Sequence, residues 1–284
     1  MVSIILSAYN EESSIEGVIN EIERVISGRN WEVIVVDDGS TDKTAEIVRK
    51  YDFINLVRHP YNKGYGASVK TGIANSQGKK IVLVDADSQH DPLDIELLLS
   101  HLGEFDLVVG ARGVDYESKI SRRVGNYFLN KFSSFLVNVN ILDLTSGLRA
   151  FDKEKMLKFM HLYPNGFSIS ATTVLAFISA GFNVKFLPVK MRTRNNQSKS
   201  KVNLISDGFK FFILILRMIT LFNPLKIFFP VSLLLFVMGF GYGAVSIFLI
   251  RHIPAGATLL IITSLIIFFF GLIADQISCI RREI

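Results

Sequence analysis

Short apolar runs and amphipathic stretches alternate along the first two thirds of the chain. Val2 to Leu6, Val33 to Val36 and Ile81 to Val84 are almost free of polar residues, and each run ends in acidic or other polar side chains. Runs of this length read as buried strands of a parallel sheet. Helical patterns follow at residues 13–27, 42–51, 63–76 and 92–102, and further strands are expected at 54–58, 106–110 and 184–189. Strands alternating with helices predict an α/β domain, Rossmann-like, with a mostly parallel sheet covered on both faces.

The pattern changes near the C-terminus. There, 24 uncharged residues lie between Lys226 and Arg251, and 22 more lie between His252 and Asp275. About 20 such residues cross a bilayer as a helix. Two transmembrane helices are therefore predicted, joined by a tight turn from Arg251 to Gly256. Residues 203–222 are also apolar but carry Asp207, Lys210 and Arg217, which suits a helix lying in the interface. The expected organisation is an α/β domain over residues 1–202, an interfacial amphipathic helix over 203–224 and a two-span hairpin over 225–284.

Composition agrees with membrane attachment. The chain is 49% hydrophobic with a mean hydropathy of +0.36, too apolar for an average soluble domain. Residues 1–189 hold 20 basic and 23 acidic side chains, whereas residues 190–284 hold 11 and 3. Most of the basic excess precedes the first span, Arg281 and Arg282 follow the second, and only Arg251 lies in the connection. The positive-inside rule places both termini and the α/β domain in the cytoplasm, with the hairpin tip outside. The basic cluster suits anionic lipid headgroups, and no nucleic-acid partner is expected. No signal peptide is expected, because the first strand begins at Val2. Cys279, the single cysteine, makes no internal disulfide and fits a reducing compartment.

Candidate chemistry gathers where the strands end, as ligands of open α/β sheets do. Ile81 to Val84 runs into Asp85-Ala86-Asp87-Ser88-Gln89-His90. In an extended segment, residues i, i+2 and i+4 project to one side. Asp85, Asp87 and Gln89 would then present two carboxylates and an amide oxygen, a donor set for Mg²⁺ or Mn²⁺ shared with substrate phosphates. A polar turn after a strand is the plainer alternative. A second strand ends in Asp37-Asp38-Gly39-Ser40, followed by a capping cluster of Asp42, Thr44 and Glu46. The first ends in Ser7-Ala8-Tyr9-Asn10-Glu11-Glu12. Asn62-Lys63-Gly64-Tyr65-Gly66 precedes a helix, where backbone amides suit a phosphate.

These three strand-end motifs, in this order and spacing, resemble the family 2 inverting glycosyltransferases of GT-A fold. More narrowly, the chain is similar to the dolichol-phosphate mannosyltransferase and polyprenyl-phosphate glucosyltransferase branch, over nearly its whole length. That resemblance implies a nucleotide-diphosphate sugar as donor and dolichyl or polyprenyl phosphate as acceptor, at the lipid bilayer. It implies Ala8, Tyr9, Asn10, Glu12, Asp38, Lys63, Gly64, Asp85 and Ala86 around the donor, with Asp85, Asp87 and Gln89 at the metal. Gly110-Ala111-Arg112 resembles the family's G-[SA]-R, and Ser121-Arg122-Arg123-Val124-Gly125-Asn126 its S-R-x-x-N element. Arg112 and Arg123, with Ser146 of Asp143-Leu144-Thr145-Ser146-Gly147-Leu148-Arg149, are therefore expected at the acceptor phosphate, where the guanidinium fork makes paired hydrogen bonds. The stretch 192–201 resembles a donor-closing R-x-x-G-x-S-K loop. It lacks the glycine, which leaves Arg194 or Arg192 as its arginine, and a plain polybasic linker is the alternative.

Some relatives carry an aspartate at the place of Gly147 as a suggested base, and this chain has none. A phosphate acceptor tolerates that, because its second pKa is about 6 and it arrives largely deprotonated. Asp87 is the expected direct metal ligand, with Asp85 and Gln89 supporting it, and His90 is read as supporting too. The alternatives weighed are a processive polysaccharide synthase, a non-catalytic nucleotide-sugar-binding partner, and an enzyme with a diacylglycerol or protein acceptor. The first needs a Q-x-x-R-W motif, yet the only tryptophan is Trp31, in the second strand. GDP-mannose is the first-choice donor, with UDP-glucose and UDP-N-acetylglucosamine as alternatives. The sequence leaves oligomeric state open.

Overall fold

A computed structural model describes residues 1–113, 120–166, 168–192, 213, 217 and 220–283. The chain divides into two compact units, Met1–Asn203 and Leu204–Ile284. The first is built on a seven-stranded sheet of order β3-β2-β1-β4-β6-β5-β7. Its strands are β1 (Val2–Ala8), β2 (Trp31–Asp37), β3 (Ile54–Arg58), β4 (Lys80–Asp85), β5 (Leu107–Arg112), β6 (Arg149–Asp152) and β7 (Val184–Val189). β1 pairs parallel with β2 and β4, and β5 with β7. Among the described strands only β6 runs antiparallel, between β4 and β5. The sheet is thus the expected mostly parallel one, with a single reversed strand.

The apolar runs form its centre. Ile4, Leu6, Val33, Val35, Val82 and Val84 are buried in one cluster with Ile15, Val18, Ile19 and Ile22 of α1 (Ile15–Ile26). That spacing is the i, i+3, i+4, i+7 stripe of a helix packed on a sheet. α2 (Thr44–Val48), α3 (Tyr65–Asn75) and α4 (Asp94–His101) follow β2, β3 and β4 in turn. Pro188 sits in β7, the last strand of the sheet, where a missing N–H costs no ladder bond on the open side. α5 (Ile120–Val137) connects β5 to β6; α6 (Lys153–Leu157) and α7 (Ile169–Ser179) lie between β6 and β7.

The second unit is a helical hairpin, α8 (Leu225–Ile250) and α9 (Ala255–Glu283). Each helix has a 26-residue stretch long and apolar enough to cross a membrane. Small residues let the two helices approach. A Cβ at Gly239 would lie 2.9 Å from Leu260 Cβ, and one at Gly271 would lie 2.6 Å from Phe228 Cβ. Arg251 ends α8 in a left-handed conformation, φ 52°. The expected interfacial helix at 203–224 falls mostly outside the described residues.

Candidate active site

The loops after β1, β2 and β4 meet at one edge of the sheet and are tied together side chain to backbone. Asp38 N donates to Ala8 O at 2.8 Å. Asn10 N donates to Ser40 Oγ, Glu11 N to Thr44 Oγ1 and Glu12 N to Asp42 Oδ2; in return Thr41 N donates to Asn10 Oδ1 and Lys43 N to Glu12 Oε2. The polar residues after two strands thus make each other's fixed geometry. Burial raises the Asp42 carboxyl, but its hydrogen bonds from Thr44 and Glu12 bring it below the ordinary value on balance.

Asp38 is 2% exposed and holds the next loop. It accepts from Lys63 N at 2.9 Å and Gly64 N at 2.8 Å, and His59 Nδ1 lies 2.7 Å from it. His59 Nε2 in turn meets Thr71 Oγ1 at 2.9 Å. The Nδ1–H of His59 donates to the Asp38 carboxylate. The Lys63 and Gly64 amides, expected to face a phosphate, face this carboxylate instead. Ala67 N donates to Asn165 O and Gly64 O.

Between these loops opens a cleft of about 520 Å³ lined by Ser7, Tyr9, Glu11, Asp38, Asn62, Gly64, Tyr65, Asp85, Ala86, Asp87, Thr145, Gly147 and Ser170. A volume in the range of about 300–1,000 Å³ is typical of small-molecule sites. Asp85 ends β4 and Asp87 follows it, so two carboxylates share the wall. Asp85 is held tightly. A Cβ at Gly147 would lie 1.8 Å from its Oδ2, so any side chain there must displace the carboxylate. The Tyr65 hydroxyl hydrogen-bonds both Asp85 and Ser170, and burial, then the Asp85 charge, push that phenol well up.

The extended reading of Asp85, Asp87 and Gln89 is corrected here. β4 stops at Asp85, and Ser88 takes φ 61°, a left-handed conformation that turns the chain. Such a conformation costs an L residue about 1–2 kcal/mol. Gln89 N folds back onto Asp87 Oδ1 at 3.1 Å, and Gln89 is not among the lining residues. His90 is buried beneath the turn, its Nε2 3.9 Å from Asp85 Oδ2 and its Nδ1 without a hydrogen-bond partner. Burial pushes its pKa down to about 4; the Arg112 charge adds to this, and Asp87 and Asp143 oppose it. It is neutral at pH 7.

Of the residues expected at the donor from β1 and its loop, Tyr9 lines the cleft and Ala8, Asn10 and Glu12 do not. Ser7, Tyr9 and Glu11 line the cleft, whereas Ala8 is buried and Asn10 and Glu12 turn their side chains to the β2 loop. Among the acceptor candidates, Arg112 forks onto Asp143 (Nε to Oδ2 2.6 Å, Nη2 to Oδ1 2.8 Å) and also reaches Thr145 Oγ1. Ser146 is buried and donates to Gly110 O at 2.6 Å, so its neighbours Thr145 and Gly147 face the cleft. Arg149, 1% exposed, donates to the carbonyls of Leu144, Ser146 and Ser170 and shapes that wall from behind. Arg123 lies in α5, its side chain outside the described residues, as is all of Arg194. Arg192 is engaged elsewhere. It bridges Glu21 (2.7 and 2.8 Å) and Asp91 (2.8 Å), and its amide donates to Gln89 O.

A family model described as glycosyl transferase family 2 matches residues 3–158, which hold every strand-end motif above. The chain belongs to glycosyl transferase family 2. A second model, the GtrB C-terminal hairpin, matches residues 223–280 of this glycosyltransferase, the two apolar helices. The glycosyltransferase is 28% identical to the dolichyl-phosphate hexose transferase of Haloferax volcanii over 69% of its length and 85% of that protein. It is 32% identical to the dolichol-phosphate mannosyltransferase of Pyrococcus furiosus over 59% of its length and half of that protein. Among solved structures, glucosyl-3-phosphoglycerate synthase from Mycobacterium tuberculosis, in complex with Mn²⁺, uridine diphosphate and phosphoglyceric acid, superposes with a TM-score of 0.63. Identity there is 21% over 78% of each chain, a likeness of fold. The GT-A fold expected of this glycosyltransferase is the one observed.

Among the described residues no three His, Cys, Asp or Glu side chains converge as a closed metal cage. The open pair Asp85 and Asp87 is a different arrangement. Two hard carboxylates on the wall of a nucleotide-sized cleft fit a Mg²⁺ or Mn²⁺ ion that takes its other oxygens from a diphosphate and water.

Proposed function

We propose that this glycosyltransferase transfers a hexose from a nucleotide-diphosphate sugar to dolichyl or polyprenyl phosphate, with inversion, at the cytoplasmic face of a membrane. The carrying observation is the conjunction of the carboxylate pair Asp85 and Asp87 in the cleft with a C-terminal hairpin of membrane-spanning character. The names of the two relatives supply the acceptor class. GDP-mannose is the first donor to try, ahead of UDP-glucose and UDP-N-acetylglucosamine. The positive-inside pattern of the basic residues supports a cytoplasmic α/β domain.

The protein's part in the reaction is positioning and charge. Asp85 and Asp87 would hold the divalent ion, which would supply charge to offset that developing on the departing nucleoside diphosphate. Tyr65 and the close fit of Gly147 fix the Asp85 carboxylate, and Asp38 fixes the Lys63–Gly64 edge of the donor cleft. The acceptor phosphate monoester attacks the anomeric carbon opposite the leaving group and inverts it. No side chain need take its proton, since the second pKa is about 6. Arg123, at the start of α5, offsets repulsion between the two anions, while Arg112, paired with Asp143, holds the Thr145 wall in place. Arg192 is committed to Glu21 and Asp91, which favours Arg194 as the donor-loop arginine.

The test is release of nucleoside diphosphate by full-length protein in nanodiscs, with and without polyprenyl phosphate. Acceptor-dependent release that disappears in Asp87→Asn supports the reading. Release indifferent to the lipid, or unaffected by the substitution, contradicts it.

A further inference from the structure

The turn that carries Asp87 is held in part from outside itself. Beyond Asp85 the chain leaves β4 and doubles back through Ser88, whose φ of 61° is left-handed. An L residue keeps such a conformation only where its surroundings over-determine it. Within the turn Gln89 N donates to Asp87 Oδ1 at 3.1 Å, and Ser88 Oγ reaches Ser14 O at 3.4 Å. A further hold comes from Arg192, 101 residues beyond Asp91.

Arg192 is the third residue after β7. Its backbone N–H donates to Gln89 O at 2.9 Å. One arm of its guanidinium, Nη2, donates to Asp91 Oδ2 at 2.8 Å; the other, Nη1, donates to both Glu21 oxygens at 2.7 and 2.8 Å. Asp91 divides its carboxylate, since Oδ1 accepts from Leu93 N at 3.0 Å at the entry to α4. Glu21 projects from α1, whose Val18, Ile22 and Val25 are buried. A single planar fork thus joins the far end of the turn to a helix anchored in the core. A lysine, with one point charge, lacks the geometry to grip both carboxylates in fixed directions.

Exposure decides what the contact is for. The Arg192, Glu21 and Asp91 side chains are 44%, 36% and 34% exposed, and ion pairs open to water contribute little to folding. Arg29 and Glu96, 2.6 Å apart in the same groove, form another such pair. What distinguishes the Arg192 contacts is where they end, on Gln89 and Asp91, in the turn that carries Asp87.

We propose that Arg192 is a positioning residue for this turn: it clips residues 89–91 to α1 and so holds the Asp87 carboxylate in the cleft wall beside Asp85. The proposal rests on the reading that Asp85 and Asp87 hold a divalent ion, and is independent of the sugar and of the acceptor.

The test uses purified full-length protein in detergent, with Mn²⁺ as the probe, alone and with UDP or GDP. Free Mn²⁺ is read by electron paramagnetic resonance, and deuterium uptake of residues 86–91 is followed in metal-free protein. Arg192→Ala is expected to weaken Mn²⁺ binding about tenfold, the low end of what groups supporting a metal site contribute. Uptake at 86–91 should rise while the melting temperature stays at the parent value. Arg192→Lys should recover only part of the affinity. Glu21→Ala should reproduce part of the defect and add nothing to Arg192→Ala, because both remove one contact. Arg29→Ala should leave affinity and uptake unchanged. Parent-like Mn²⁺ affinity in Arg192→Ala, beside a loss in Asp87→Asn, overturns the positioning role and leaves the metal reading standing. Weakened binding with a lowered melting temperature and faster exchange throughout the domain also overturns it, since that is general destabilisation. Absence of Mn²⁺ binding by the parent with either nucleotide overturns the metal reading and the positioning role with it.

Discussion

Replacing Gly147 by alanine adds one methyl group at the most crowded point of the cleft. The new Cβ would sit 1.8 Å from Asp85 Oδ2, 2.2 Å from Cγ and 2.3 Å from Oδ1. Ordinary contact begins at 3.4 Å, so the carboxylate must retreat by about 1.6 Å, on the scale of overpacked contacts. The fold can accommodate this, because the colliding atoms end a side chain, and a cost of about 1–2 kcal/mol is expected. The site cannot, because that side-chain end is the functional group, held where it is by the Tyr65 hydroxyl. A displacement of about 1 Å in a catalytic constellation costs about 10²-fold in rate, close to 2.7 kcal/mol of transition-state stabilisation. The assay is sugar transfer to polyprenyl phosphate under kcat/KM conditions, with thermal unfolding in the same detergent. Gly147→Ala should melt within several degrees of the parent yet lose about 10²-fold in kcat/KM. Full activity in a folded Gly147→Ala protein would refute the claim that Asp85 acts from this position.

Other substitutions separate positioning from folding. Asp87→Asn removes a carboxylate without changing shape, and should lower transfer by about 10²-fold or more while leaving the melting temperature unchanged; parent-like transfer would remove Asp87 from the site. His59→Ala leaves buried Asp38 short of a donor, and a loss of about 1–3 kcal/mol with a raised donor KM is expected by thermal unfolding and kinetics. Asp143→Asn breaks the buried pair with Arg112 and should cost about 3–5 kcal/mol at pH 7. Its pH dependence has a definite sign. Burial raises Asp143, but Arg112 holds it below its ordinary 3.8 on balance. The stabilisation is thus complete above about pH 3.8 and disappears as pH falls through the lower folded value. Unfolding curves of parent and Asp143→Asn should therefore converge in acid and separate above pH 4; a constant gap would contradict the pairing.

The parallel strands were readable because burial on both faces leaves an uninterrupted apolar run, as at Ile81 to Val84. β6 was not, since its four residues open on the buried Arg149, and neither length nor alternation marks it. α7 escaped for the opposite reason. Every residue from Ile169 to Phe177 is buried, so no polar face sets a helical period. At the site, the motifs located the loops but not which of their atoms face inward. Asp85 and Asp87 were legible from their place at a strand end. The turn at Ser88 that removes Gln89 from their line is set by a backbone conformation no residue type there announces. Tyr65 and Ser170 arrive from distant segments, and the need for glycine at 147 exists only because Asp85 reaches it through space. Arg112 reads as a phosphate ligand from its motif, and its carboxylate partner Asp143 becomes visible only once β5 and the wall before β6 are side by side.

The most direct measurement of the central claim is transfer of radiolabelled sugar by purified full-length protein in detergent with dolichyl phosphate and Mg²⁺ or Mn²⁺. GDP-mannose, UDP-glucose and UDP-N-acetylglucosamine are supplied separately, beside Asp87→Asn and a chelator control. The account predicts an organic-extractable labelled lipid from one of these donors, absent in the substituted protein and in chelator. Nucleotide binding without lipid product from any of the three would contradict it.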